Sequence, residues 1–327
     1  MSRRRQKRRL EDISDTLPGL FDIVDTEESG SPLEGLGDDD FRRPEHLRFI
    51  SFGSGSSGNC SYIGNASGGL LIDAGVNNNY VTTELERNGI DLHSIGGILL
   101  THDHGDHVRY AYAMLRRNKH MLLYATPRAF NGLLRRHSMS RRIADYHKPI
   151  YKEFPFKAAG MEITAFETSH DGSDNCGFFI DYRGIRFVVA TDTGIITPRT
   201  DHYIRQASYL MLESNYDAGM LRNGPYPARL KARIASDTGH LDNEVSAAYM
   251  ASVASEGLLR KVFLCHLSHI NNTPQLAMGA ARHALEALGI EIAPRNALPD
   301  DPRLTVTVLP RQESSRMEVL YKAKETH

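Results

Sequence analysis

The stretch that most constrains this chain is His102-Asp103-His104-Gly105-Asp106-His107, which directly follows the apolar run Gly97-Ile98-Leu99-Leu100-Thr101. An unbroken apolar run ending in a turn signal reads as a buried strand. Three imidazoles and the Asp106 carboxylate therefore sit at the mouth of a core strand. Alternate residues of an extended turn point the same way, so His102 and His104 converge on one ion. Asp106 and His107 fall on the other side and serve a second. Imidazole nitrogen and carboxylate oxygen suit Zn, Mn or Fe. The expected cofactor is two divalent metal ions, Zn or Mn. A merely polar histidine-rich loop would not need this HxHxDH spacing after an apolar strand.

The rest of the chain reads as one folded unit behind a charged tail. Residues 1–46 begin with Arg3, Arg4, Arg5, Lys7, Arg8 and Arg9, continue with an acidic block, and hold no apolar period. Such a segment cannot offset its ordering entropy and is expected to be a disordered tail. Its one apolar cluster, Leu17-Pro18-Gly19-Leu20-Phe21, resembles the short Leu-Phe motifs that dock on sliding clamps, so protein docking through the tail is an expectation. No secretory signal follows the basic block. No stretch reaches the roughly 20 apolar residues of a membrane span. The three cysteines, Cys60, Cys176 and Cys265, form no CxxC pair and no plausible disulfide framework. Buried thiols in a reducing cytoplasm are expected.

Residues 47–327 form the expected hydrolase domain. Strands are expected at Leu47–Gly53, Cys60–Gly64, Gly69–Asp73, Gly97–Thr101, Met161–Thr168, Gly177–Tyr182, Ile185–Ala190, Tyr209–Leu212 and Val262–Leu264. Helices are expected at Val81–Arg87, Val108–Arg117, Pro127–Arg136, Asn243–Ser255 and Pro274–Leu288. Locally paired strands, then helices, then strands and helices again indicate an α/β (α+β) chain. The layout is a four-layer αββα sandwich rather than a doubly wound sheet. Gly53-x-Gly55-x-x-Gly58 formally matches a dinucleotide fingerprint, with Asp73 downstream, but that fingerprint needs a helix opening at its third glycine. Here Asn59–Ile63 reads as strand. A Ser/Gly loop near the metals, with Ser56 and Asn59 as candidate substrate contacts, is the better reading.

The HxHxDH motif resembles the metallo-β-lactamase fold superfamily. That resemblance implies three more ligands, each at a strand end, and His170, Asp192 and His266 stand at those places. By the resemblance, His102, His104 and His170 hold the first metal, and Asp106, His107 and His266 the second. Asp192 bridges them. A bridging Asp is similar to the phosphodiesterase and nuclease branches. Cys265 alternates away from His266 on a strand and is not taken as a ligand. Further stretches, Phe52–Cys60, Leu71–Gly75, Thr238–Asn243 and His266–Pro274, resemble the YycJ/WalJ group of 5′–3′ DNA exonucleases over about residues 47–325. Relatives usually carry Gly at the Cys265 position, Ser at Asp242 and a basic or polar residue at His269. The Gly-His-Leu setting makes His240 a candidate phosphate-binding or proton-donating residue. Asp73 is expected to hydrogen-bond the ligand loop rather than bind metal.

Charge points the same way. Between Val108 and Lys152 stand eleven Lys and Arg residues against one acid, Asp145, in a chain whose formal net charge is -1. Such a bias beside a hydrolytic site suits a polyanionic substrate. The expected function is a metal-dependent phosphodiesterase, a 5′–3′ DNA exonuclease using a metal-bridging hydroxide, with Asp106, Asp192 and His240 as catalytic residues. DNA is favoured over RNA by the resemblance. Two rivals remain: a small-molecule hydrolase acting on a cyclic phosphodiester, thioester or lactam, and a non-catalytic binding protein, whose signature would be missing ligands.

Overall fold

The structure is a computed structural model. It describes residues 46–294, 301 and 303–322. The expected tail and its docking motif lie outside the described residues.

Two seven-stranded mixed sheets stack face to face. The first contains β1 (His46–Gly53), β2 (Cys60–Asn65), β3 (Gly68–Ile72), β4 (Ile95–Leu99), β5 (Leu122–Ala125) and β6 (His147–Pro149). The second contains β7 (Phe156–Ala158), β8 (Met161–Glu167), β9 (Cys176–Tyr182), β10 (Ile185–Ala190), β11 (Tyr209–Glu213), β12 (Lys261–Cys265) and β13 (Thr305–Val308). The last strand, β14 (Glu318–Tyr321), returns to the first sheet and pairs antiparallel with β1. Strands β3 to β6 run parallel, as do β10 to β13. The remaining pairs are antiparallel.

The four layers follow from side-chain alternation. Phe49, Leu70 and Leu99 of the first sheet meet Phe178, Phe187 and Phe263 of the second in the inter-sheet core. Their neighbours Ile50, Leu71 and Ile98 face outward, and are covered by α1 (Asn78–Arg87), α3 (Ala111–Arg117) and α4 (Pro127–Arg136). On the other side Val188, Leu210 and Val262 lie under α5 (Pro198–Ile204), α8 (Asn243–Ala254) and α9 (Pro274–Ala287). A strand buried on both faces has no polar face to offer, which is why these strands read as continuous apolar runs. Three helices begin with the same Thr-Pro pair. Thr126, Thr197 and Thr273 each accept a hydrogen bond from the backbone N–H three residues on, at 3.2, 3.0 and 3.2 Å. The proline occupies a first-turn position whose N–H has no intrahelical partner.

The expected sandwich is present, with one local correction. Val108–Arg117 is not a single helix. A four-residue helix, α2 (Gly105–Val108), starts inside the histidine motif and stops before α3. The cause is Tyr110, whose backbone N–H leaves the helical ladder to donate to Ala74 O at 2.9 Å. Asp106 and His107 thus project from a helical turn, and the extended geometry expected of the motif holds only to His104. At the Ser/Gly loop, β2 opens at Cys60 and no helix starts at Gly58, as expected. Two short helices, α6 (Ala218–Asn223) and α7 (Ala228–Ile234), precede His240. Among the described residues no helix is long and apolar enough to cross a membrane.

Candidate metal centre

The site is built at strand ends. Beyond the carboxyl ends of β3 and β4 come Asp73 and the segment from Thr101 to His107, and beyond β8 comes His170. Beyond β10 and β12 come Asp192 and His266, while Glu213 is the last residue of β11. Parallel order in β10, β11 and β12 aims three of these ends at one place. Asp73, Asp192 and His266 adopt left-handed backbone, with φ of 60°, 50° and 55°. Non-glycine residues occupy that region sparingly, and the surrounding packing must hold them there.

The seven residues singled out in the sequence come together as two abutting clusters. Ligand-type atoms of His102, His104 and His170 lie within 4.8 Å of one another, and so do those of Asp106, His107 and His266. A third such group, His102, His107 and Asp192, ties them together. Asp192 spans both, with Oδ2 3.3 Å from His107 Nε2 and Oδ1 3.7 Å from His170 Nε2.

Each of the five imidazoles has one ring nitrogen beside an oxygen and the other directed into the cluster. His102 Nδ1 is 3.1 Å from Thr101 Oγ1. His104 Nε2 is 3.4 Å from Asp171 Oδ1, itself held by Arg233. His170 Nδ1 bonds Gly239 O at 2.8 Å, His107 Nδ1 bonds Asp73 Oδ2 at 2.7 Å, and His266 Nδ1 lies 3.1 Å from Glu213 Oε1. Inward, His104 Nδ1 faces His170 Nε2 at 3.2 Å, and His266 Nε2 faces Asp106 Oδ2 at 3.4 Å. The buried Nε2 of His102 has no hydrogen-bond partner. Outer oxygens of this kind fix the tautomer and aim of metal-binding histidines.

The electrostatics divide the clusters. Burial holds His102 well below its ordinary value and His104 down at about 4, and it also lowers His170. Burial thus favours the neutral form of these rings, which has a lone pair to offer. Burial also disfavours charge on His107, yet the carboxylates of Asp192, Asp73 and Asp106 outweigh it and raise the ring to about 9. His266 is raised in the same way, against burial, by Asp192, Asp106 and Glu213. Burial raises the Asp106 carboxyl, but His107 and His266 overcome it and hold it at about 2. Asp192 is held well below the carboxylate range, again against burial, by His266 and His107 among other rings. Buried carboxylates that draw protons onto their histidines are stabilised equally by a divalent cation, which displaces those protons. The orphaned His102 Nε2, the converging lone pairs and the nitrogen-oxygen donor set all fit a divalent metal.

Other residues of the motifs take supporting places. Asp73 bonds both the N–H and Oγ1 of Thr101, as expected of a residue that fixes the loop. Asp103 is fully buried and accepts from Ser173 N and Oγ. Asn59 is buried, and its amide lies 3.2 Å from Asp106 Oδ2 and 3.0 Å from His107 Nε2. Ser56 is exposed on the loop. His240 is partly exposed and bonds Glu213 Oε1 through Nδ1 at 2.7 Å. Cys265 sits in the inter-sheet core, outside the clusters, and all three cysteines are buried and free. Of the eleven basic residues after the motif, Lys152 is spent on Asp174 at 2.7 Å and Arg136 on buried Asp103. The other nine are exposed.

Glu213 escaped the sequence reading. It is fully buried, holds His240 and His266 together, and accepts from the N–H of Thr193 at 2.8 Å. The signal was present: Tyr209–Leu212 is an apolar strand closed by a polar residue, the same context that marked Asp192 and His266.

The β-lactamase superfamily domain matches residues 69–267. The chain is 31% identical over 264 residues to exodeoxyribonuclease YycJ of Bacillus anthracis, covering 80% of this chain and 98% of that protein. It is 32% identical over 232 residues to exodeoxyribonuclease WalJ of Streptococcus pneumoniae serotype 2, covering 71% and 85%. The metallo-β-lactamase fold protein YhfI of Bacillus subtilis superposes with a TM-score of 0.59 at 14% identity, over 84% of this chain and all of that one. Zn(2+)-bound PqqB of Methylobacterium extorquens gives 0.56 at 16% identity, over 82% and 99%. At these identities the structural likeness concerns the fold alone.

Proposed function

This chain belongs to the β-lactamase superfamily, with the metallo-β-lactamase fold, and on that footing we propose that it is a metal-dependent phosphodiesterase acting on DNA as a 5′–3′ exonuclease. The observation that carries the proposal is the set of five imidazoles, each with one ring nitrogen beside an oxygen and the other aimed into one pair of clusters that Asp192 spans. The nuclease reading draws on the relatives named as exodeoxyribonucleases.

His102, His104 and His170 would hold one divalent ion, and Asp106, His107 and His266 a second, with Asp192 between them. Zn or Mn suits these donors. Bound ions of this kind lower the pKa of coordinated water and neutralise charge developing on phosphorus. The residues supply the remainder. Asp106 and Asp192 orient the attacking oxygen. Glu213 accepts the Nδ1 proton of His240, and in the doubly protonated ring the Nε2 N–H is left to donate to a phosphate oxygen or to pass its proton to the leaving oxygen. Asn59, spent on Asp106 and His107, positions ligands rather than substrate, while Ser56 is free for a substrate contact. Three free thiols suit a reducing compartment, and a cytoplasmic location is part of the proposal.

Glu213→Gln keeps the shape and removes the charge shared by His240 and His266. It is expected to weaken metal retention or activity about 10–100-fold, read by competition with a chelator and by turnover. Wild-type behaviour in both would show that Glu213 orients neither ring.

The function is tested by digesting end-labelled duplex DNA, single-stranded DNA, RNA and bis-p-nitrophenyl phosphate side by side. DNA should be cut from its 5′ end, and binding should weaken steeply with added salt, as phosphate contacts dictate. Turnover of the small ester alone would remove the nuclease reading and leave a small-molecule hydrolase.

A further inference from the structure

A cavity of about 180 Å³ is lined by Gly53, Gly58 and Gly75 together with Arg109 and Arg311. None of the seven proposed ligands lines it. Arg109 stands two residues after His107 and donates to Ser57 O at 3.2 Å. Arg311 donates from Nη1 to Ser268 O at 2.9 Å and to Asn272 O. Among the described residues, neither arginine has a carboxylate partner, and no carboxylate lines the cavity. A guanidinium offers five N–H donors, and these carbonyls occupy only one nitrogen of each. Two uncompensated cations facing one small space create a field for an anion.

The position ties this space to the metal centre. The loop that walls it is bonded to both sides of one cluster. Ser54 Oγ accepts from His266 N at 2.9 Å, and the Asn59 amide donates to Asp106 Oδ2 at 3.2 Å. Gly75 rests directly on the Asp106 carbonyl, which lies 1.5 Å from where a Cβ would stand. A group in the cavity is therefore one loop's thickness from Asp106, His107 and His266. The glycine walls let an anion approach backbone closely. The volume is well below the roughly 300 Å³ at which pockets for whole small molecules begin, so it suits a phosphate group rather than a complete nucleotide.

We propose that this cavity is a subsite for the terminal 5′-phosphate of the strand being cut, gripped by Arg109 and Arg311. The proposal rests on the phosphodiesterase reading. A terminal monoester carries a charge of about -1.5 to -2 at neutral pH, and two arginines match it better than they match a singly charged internal phosphate. Anchoring the end there would set how far along the strand the scissile bond lies.

The test compares 5′-phosphorylated, 5′-hydroxyl and 3′-phosphorylated DNA of one sequence, on wild type and on Arg109→Gln. The latter changes an exposed side chain with little risk to folding. Arg311→Lys provides a second variant that keeps a charge but loses the guanidinium fork. Cleavage is read as a ratio between ends. Binding is read separately by fluorescence anisotropy in chelator, where no cutting occurs. Wild type should prefer the 5′-phosphorylated end about tenfold or more in both readouts, and either variant should bring the ratio towards one. No 5′-phosphate preference in wild type, a preference for the 3′-phosphate, or a preference that survives both variants would overturn the subsite. A 5′-phosphate binding preference that the variants abolish, without DNA cleavage, would support the subsite and overturn the nuclease reading instead.

Discussion

Asp192→Asn is expected to reduce turnover by about a thousandfold or more, the range seen when one member of an interdependent constellation is removed. Asn is chosen because it tolerates the left-handed backbone that Asp192 adopts, at φ 50°, and so isolates the charge. The carboxylate is 3% exposed and faces His107, His170 and His266 at 3.3, 3.7 and 3.5 Å. Both clusters depend on it. Metal content measured on the purified variant should fall together with activity. Asp192→Ala should behave the same, with an added loss of stability from the backbone strain that alanine meets there. Full activity with wild-type metal content in either variant would mean that Asp192 does not join the clusters.

Gly75→Ala should be nearly as damaging, for a reason of packing. A Cβ at this position would lie 1.5 Å from Asp106 O and 2.8 Å from Asn59 N. Both obstacles are backbone, so no rotamer change can relieve the clash. The Asp106 carbonyl also accepts from Asn59 N at 2.8 Å, and the Gly75 N–H donates to Asn59 O at 2.8 Å. Making room must displace the helix that carries Asp106 and His107. Overpacking with no relief costs about 3 kcal/mol, which for a domain of this size lowers Tm by roughly 6–10 °C. Activity should fall further than stability, because the displaced residues are the proposed ligands. A variant with the wild-type Tm and turnover would contradict this packing role.

The sequence was legible where one physical signal dominated. Strands β3, β4, β10 and β12 are buried on both faces and show as apolar runs. The HxHxDH cluster after one such run stood out by its spacing, and the single His170, Asp192 and His266 at later strand ends were legible only through the family resemblance that this motif carries. Five strands were missed: Leu122–Ala125 is apolar and buried but only four residues long, and Thr305–Val308 lies at a sheet edge and is mostly half-exposed. His147–Pro149 and Phe156–Ala158 sit at sheet edges with half-exposed side chains, and Glu318–Tyr321 gains its place only by pairing with β1 from the far end of the chain. The break before Ala111 depends on the Ala74 carbonyl, a tertiary partner that local periodicity cannot reveal. Glu213 was passed over because a single Glu after an apolar run has many surface explanations, and only the fold sets it against His240 and His266. Charge counting overstated the basic surface, since it could not see Lys152 paired with Asp174 or Arg136 with Asp103.

These seven residues are proposed to hold two divalent ions that together cut a phosphodiester. The most direct measurement strips the protein with a chelator, then titrates Mn or Zn back while following release of labelled nucleotide from duplex DNA. The expected result is no turnover without metal and a rise that saturates at two ions per chain. Turnover undiminished in excess chelator, or full activity reached with a single bound ion, would contradict it.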